Sequence, residues 1–271
     1  MAKRARFRLA VWKLASCDGC QLTLLDLEEE LLALAGRVEL AYFREATSRA
    51  SNGPFDLSLV DGSVTQPRDV ALLDEIRHRS QRVVAIGACA TAGGIQALRN
   101  FTAVDAYLTE VYPSPDLVST LPTSTPVREH VPVDGELFGC PIQPRQLLEL
   151  LTALLEGRRP RLVTHSVCLE CKSRGNVCVL VTGTPCLGPI TRAGCGALCP
   201  SFERGCYGCF GPMETPDTKR LVQIYQALGV SAEACVRALR LFYANAPEFR
   251  RESDLLAHGG KDASSTPRGQ S

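Results

Sequence analysis

From the start of the chain to about residue 90, short apolar runs alternate with longer stretches whose apolar positions fall every third or fourth residue. Residues 7–15 (FRLAVWKLA), 38–44 (VELAYFR), 56–61 (DLSLVD) and 82–87 (RVVAIG) are mostly apolar and bounded by turn residues, the pattern of buried strands. Between them, "LTLLDLEEELLALAG" spaces its leucines along one helix face and ends on Gly36, read as a C-cap. "PRDVALLDEIRHRS" starts with Pro67 near the first helical position and carries its basic residues late, where the helix dipole favours them. Alternation of strand and helix predicts an α/β fold: a parallel sheet with right-handed crossovers, most simply a flavodoxin-like doubly wound domain.

From about 100 to 139 the periodicity dissolves into a Pro/Ser/Thr-rich stretch, "YPSPDLVSTLPTSTPVREHVPVDGE". A loop longer than ~15 residues is uncommon unless functional or disordered. "QPRQLLELLTALLEG" restores a helix, and "RRPR" reads as a linker into a cysteine-dense segment. Two helices follow: "TPDTKRLVQIYQALG", N-capped around Thr215 to Asp217, and "SAEACVRALRLFYANAPEF", N-capped at Ser231. The expected organisation is a flavodoxin-like domain over 1–160, a small cysteine-rich domain with helices over 161–251, and a disordered polar tail over 252–271.

Charge narrows the function classes. With 30 basic and 29 acidic side chains, nothing points to nucleic acid or an anionic membrane. No apolar run approaches the ~20 residues of a membrane span. The opening "MAKRARFRLAVWKLASC" reads as a first strand rather than an export signal, because Arg8, Lys13 and Cys17 interrupt it and it has no twin-arginine pair. The expected location is the cytoplasm. In that reducing compartment 13 cysteines are not structural disulfides, and metal ligation becomes the leading account of them.

Cys17 and Cys20 form a C-x2-C pair at the end of the first expected strand, Cys89 in "GACATAGG" sits at the same end of the fourth, and Cys140 in "GCP" opens the helix after the long loop. Ligand sites of open α/β sheets lie outside the carboxyl ends of the strands, where these thiols can converge. Four thiolates suit a 4Fe–4S cluster; tetrahedral zinc also accepts four cysteines. Gly87, Gly93 and Gly94 let backbone approach a bulky group and point N–H donors at it.

Eight more cysteines fall between 168 and 209, spaced C-x2-C-x6-C-x7-C and then C-x3-C-x6-C-x2-C. Two zinc sites or two 4Fe–4S clusters fit that count equally. "CGALCP" matches the closing half of a bacterial ferredoxin motif, and Gly and Pro between the ligands replace a zinc finger's hairpin and helix. Lys172, Arg174, Arg192 and Arg204 outnumber Glu170 and Glu203, a weak pointer to anionic clusters. His165 is a minor ligand candidate. Cys235, alone in an amphipathic helix, reads as core.

These residues resemble a known family, the small subunit of cytosolic nickel–iron hydrogenases, sulfhydrogenase delta-subunit type. The likeness spans roughly residues 8 to 215 and rests on "CDGCQLTLLDLE", "VDGSVT", "AIGACATAGGIQALRN", "GCPIQP", "CLECKSRGNVCV", "GTPCLGPITRAGCGALCP" and "CYGCFGP", in that order. The related small subunit of NADH:quinone oxidoreductase carries adjacent cysteines where this chain has C-x2-C. The resemblance implies three 4Fe–4S clusters: a proximal one on Cys17, Cys20, Cys89 and Cys140, a distal one on Cys168, Cys171, Cys178 and Cys186, and a medial one on Cys195, Cys199, Cys206 and Cys209. Exchange of ligands between the last two sets stays open. Membrane-bound relatives ligate through a histidine at H-x2-C, which keeps His165 in view. Implied partners are a large subunit holding the nickel–iron centre, and flavin/NAD(P)-binding and iron–sulfur subunits. The alternatives are a ferredoxin-like component of a non-hydrogenase oxidoreductase and a structural zinc protein.

Overall fold

The computed structural model describes residues 6–48 and 50–259, and the chain divides into two units, Met1–Leu162 and Val163–Ser271. In the first unit β1 (Phe7–Lys13) leads into α1 (Gly19–Leu25) and α2 (Glu28–Leu34), then β2 (Val38–Phe43), β3 (Phe55–Asp61), α3 (Pro67–Arg79), β4 (Ser80–Ile86), α4 (Gly87–Ala92), α5 (Val104–Val111), β5 (Gly135–Leu137) and α6 (Pro144–Leu155). The five strands are all parallel, in the order β2-β1-β3-β4-β5. That is the doubly wound flavodoxin-like order, with its switch point beside β1 and β3.

Strand periodicity of two sorts the core into two layers. Leu9, Val11, Leu57, Leu59, Val84 and Ile86 pack with Leu24 of α1 and Leu147, Leu150 and Leu151 of α6. Their neighbours Ala10, Trp12, Val60, Val83 and Ala85 pack with Leu73 and Ile76 of α3. Central strands buried on both faces must be apolar throughout, hence the continuous runs in the sequence. The polar exceptions are paired: Trp12 Nε1 donates to Ser58 Oγ at 3.0 Å, and Ser58 and Ser80 share a hydroxyl bond of 2.7 Å.

Several local expectations change. The single helix foreseen over residues 22–36 is two, broken at Asp26 and Leu27, and α2 ends on Ala35 rather than capping on Gly36. The 100–139 stretch is ordered: it holds α5, two turns of 3-10 helix and β5. Its ties are polar. Arg99 donates to Thr120 Oγ1 and to the Leu121 and Thr123 carbonyls, and Asn100 pairs with the Ser124 backbone in both directions, 2.8 Å each way.

The second unit has no β-strand among its described residues. It contains α7 (Val167–Ser173), α8 (Leu198–Ser201), α9 (Thr218–Ala227), α10 (Ala232–Leu239) and α11 (Pro247–Gly259). Asp217 and Ser231 cap α9 and α10 by accepting from Arg220 N and Ala234 N. The helix foreseen after Ser231 breaks after Leu239, and α11 runs on through residues 252–259, which the sequence pattern assigns to a tail. Residues 260–271 lie outside the described residues.

Candidate metal centres

In the first unit the turn "SCDGC" reverses the chain between β1 and α1. Asp18 takes a left-handed conformation (φ 67°), and its carboxylate is held by Lys13 Nζ at 2.6 Å, Ser16 Oγ at 3.2 Å and Gln21 Nε2 at 3.3 Å. That turn leaves Cys17 exposed and Cys20 buried in the first turn of α1. Cys89 lies in α4, directly after β4. Cys140 occurs four residues before α6 rather than opening it, in a tight turn closed by the Gly139–Ile142 bridge. Ala88 N donates to Gly139 O at 2.8 Å and ties these last two turns together.

All four thiols therefore follow the carboxyl ends of β1, β4 and β5, and they feel one another's charge. Cys20 is coupled to Cys89 and Cys140, Cys89 to Cys140 and Cys17, and Cys140 to Cys17. Burial pushes Cys20 and Cys140 upward and Cys89 up to about 12, and the carboxylate of Asp61 at the end of β3 adds to each. Asp61 is itself raised by burial, with Gln21 Nε2 donating to it at 3.2 Å. Thiols held neutral in this way are poor nucleophiles; as ligands they release their protons to a metal that supplies the missing positive charge.

Two glycines make room around the sulfurs. A Cβ on Gly87 (φ 82°) would collide with Cys20 Sγ, and one on Gly94 (φ 64°) would lie 2.6 Å from Cys89 Sγ. Gln96 completes the wall: Cys89 Sγ is 3.5 Å from its Oε1, and its Nε2 donates to Ala15 O at 2.8 Å. An all-sulfur donor set, glycine clearance and polar groups beside the sulfurs fit an iron–sulfur group. Among the described residues no three or more His, Cys, Asp or Glu side chains are grouped to hold a single metal ion. A single zinc bonded at about 2.3 Å to each sulfur needs tighter gathering than a cluster that brings its own iron and sulfide. Asp61, Gln21 and Gln96 received no role from the sequence. The available signal was their position: an acid closing an apolar strand, an amide directly after Cys20, and an amide two residues past Gly94.

In the second unit α7 carries Cys168 and Cys171. Cys168 is coupled to Cys186, Cys171 and Cys178, and burial pushes it up to about 11; Cys186 is coupled to Cys178 and Cys171. Two of these sulfurs flank Gly188, where a Cβ would lie 3.3 Å from Cys186 Sγ and 3.7 Å from Cys168 Sγ. Of the other four, burial raises Cys199 with Cys195 adding to it, and raises Cys206 with Cys186 and Cys209 adding to it. Backbone donors reach the sulfurs: Cys206 N to Cys186 Sγ at 3.2 Å and Gly208 N to Cys206 Sγ at 3.5 Å. Such bonds raise the reduction potential of a cluster by stabilising negative charge on sulfur. His165 is exposed, its Nδ1 3.1 Å from Ser166 O. Cys235 is buried on α10, as its apolar surroundings in the sequence suggested.

Comparison with known proteins bears on the whole chain. Residues 17–154 match the family model described as NADH ubiquinone oxidoreductase, 20 Kd subunit. The chain is 37% identical over 236 residues to sulfhydrogenase 2 subunit delta of Pyrococcus furiosus, covering 87% of this chain and 98% of that one. It is 33% identical over 234 residues to a subunit of the vhu F420-non-reducing hydrogenase of Methanocaldococcus jannaschii, covering 75% and 81%. A chain from the crystal structure of an NAD+-reducing NiFe-hydrogenase in the H2-reduced state superposes with a TM-score of 0.54 at 34% identity, covering 58% of this chain and 96% of that chain. The actinobacterial-type NiFe-hydrogenase from Ralstonia eutropha H16 matches with a TM-score of 0.57 over 98% of this chain and 94% of that chain; at 17% identity the likeness is one of fold.

Proposed function

The chain belongs to the NADH ubiquinone oxidoreductase 20 Kd subunit family, in its hydrogenase small-subunit branch, and from that premise we propose that it relays electrons through three 4Fe–4S clusters. The observation that supports this is that Cys17, Cys20, Cys89 and Cys140 all follow the carboxyl ends of strands of one sheet, with glycines where a Cβ would strike the sulfurs of Cys20 and Cys89. When bound, the clusters supply one-electron steps that need no proton or atom transfer at the protein. The chain's own residues hold the thiolates, donate hydrogen bonds to sulfur and exclude water, and by these means set each potential.

Cys168, Cys171, Cys178 and Cys186 would hold the distal cluster, and Cys195, Cys199, Cys206 and Cys209 the medial one. The nickel–iron centre belongs to a separate large subunit, which the face bearing Cys17 and Cys89 would meet. Flavin/NAD(P)-binding and iron–sulfur subunits would exchange electrons at the other end of the relay, in the cytoplasm. No helix among the described residues is long and apolar enough to cross a membrane.

Anaerobic purification with natural partners, followed by iron, sulfide and nickel analysis, tests this directly. Cys20→Ala should abolish H2-dependent dye reduction by the complex while nickel stays in the large subunit. Full dye reduction by that variant removes the proximal assignment. A complex with iron and sulfide but no nickel partner would instead mark a ferredoxin-like carrier.

A further inference from the structure

One acidic side chain of the cysteine-rich segment is turned onto backbone. Glu170 stands between Cys168 and Cys171 on α7, and its two oxygens accept from a different loop: Gly194 N reaches Oε1 and Ala197 N reaches Oε2, each at 3.1 Å. Those donors bracket Cys195, and Cys199 follows two residues later. A residue inside one C-x2-C pair thus grips the ligand loop of the other set of four.

The loop needs gripping. Gly196 (φ 67°) and Ala197 (φ 52°) are both left-handed, a conformation that suits glycine and opposes alanine. Ala197 is also fully buried, so its N–H has no access to water and depends on the carboxylate. α7 spans seven residues, too few for a helix to stand alone in water. Its anchorage is Val167 and Cys171, both buried, and the sulfurs it contributes. Two further ties lie beside these: Asn176 Nδ2, just past α7, donates to Ser201 Oγ of α8 at 3.0 Å, and the Arg174 guanidinium covers Gly196, where a Cβ would lie 2.6 Å from Nη2.

We propose that Glu170 is a positioning residue that straps the Cys195–Cys199 loop to α7, so that the two sets of cysteines in this unit load together. This rests on the iron–sulfur function proposed above. Iron on Cys168 and Cys171 fixes α7, α7 aims the carboxylate, and the carboxylate holds Ala197 in the conformation that presents Cys195 and Cys199. The coupling is reciprocal, because the same two bonds transmit order in both directions.

The test uses the full chain, purified anaerobically with its partners or reconstituted with iron and sulfide. It is read by iron and sulfide per chain, native mass and the electron paramagnetic resonance of the reduced protein. Glu170→Ala should lose one cluster signal and about a third of the iron, four of roughly twelve atoms. Glu170→Gln, similar in size but with one acceptor oxygen, should lose the same signal in part, and it carries the test should the alanine variant not fold. Ala197→Gly added to Glu170→Ala should restore the missing cluster, since glycine adopts the left-handed turn unaided. Full loading with an unchanged spectrum in both Glu170 variants overturns the strap. An iron-free wild-type chain would overturn the function proposed above instead, leaving the two failures distinct.

Discussion

The two units use cysteine in opposite ways. In the first, the core is two layers of mostly aliphatic and aromatic side chains on a five-stranded sheet, and the four expected ligand thiols follow strand ends, with Cys20 alone of them a member of that core. In the second, a core cluster consists of Val167, Cys171, Val179, Cys186, Ala197 and Cys206, so half of its members are expected ligands. One unit builds its core on a sheet; the other lacks a sheet among its described residues and sets sulfur into one part of a core that also buries Phe210, Tyr225, Tyr243 and Phe249. Metal binding and folding should therefore be separable in the first unit and coupled in the cysteine-rich segment of the second.

Iron removal breaks that comparison most severely. Chelation should expose residues from about 165 to 212 to protease while the first unit keeps its resistance. Native-like resistance of that segment without metal would show that it folds on apolar contacts alone. The converse experiment is Leu57→Ala, which opens a cavity at a fully buried site on β3. It should destabilise the first unit by about 2–5 kcal/mol in denaturant titration, with iron retained by the second unit at denaturant concentrations where the first has unfolded.

Gly87→Ala sharpens the contrast within the first unit. The added methyl strikes Cys20 Sγ, and the residue takes a left-handed conformation worth about 1–3 kcal/mol of strain. Circular dichroism should stay close to that of the parent while the proximal cluster signal falls; an unaltered signal would mean that the turn has slack. The smallest expected effect is the pH response of the Arg158–Glu149 pair at the end of α6. Arg158 and the Arg161 N–H hold the Glu149 carboxyl down to about 2. A lowered carboxylate stabilises the fold above its unfolded value near 4.5 and loses that contribution as pH falls toward 2. Because both groups are solvent-exposed, acid titration of Glu149→Gln should differ from the parent only slightly and only in that window.

Much of the fold was legible because its signals are local. The four longer strands show as apolar runs, Pro67 marks the start of α3, and Asp217 and Ser231 mark α9 and α10. β5 was missed because three residues carry no periodicity; pairing of Gly135, Glu136 and Leu137 with β4 makes them a strand. α5 lies just before the Pro/Ser/Thr-rich stretch and was missed although Val104, Tyr107, Leu108 and Val111 fall at helical spacing; it is short and buries none of its residues. The second half of α11 looked like tail because it is polar, yet Arg240 holds Asp254 at 2.6 Å and Ser253 is fully buried.

Sequence alone marked the thiols as candidate ligands and the sheet beneath four of them, since residue type, spacing and strand alternation are written along the chain. Only the tertiary structure decided that Asp61 lies near Cys20, that Gln96 lies beside Cys89, and that Glu170 reaches from one cysteine pair to the loop of another. The Glu170 contacts join residues 24 and 27 positions apart, and no local pattern encodes a distance that folding alone closes.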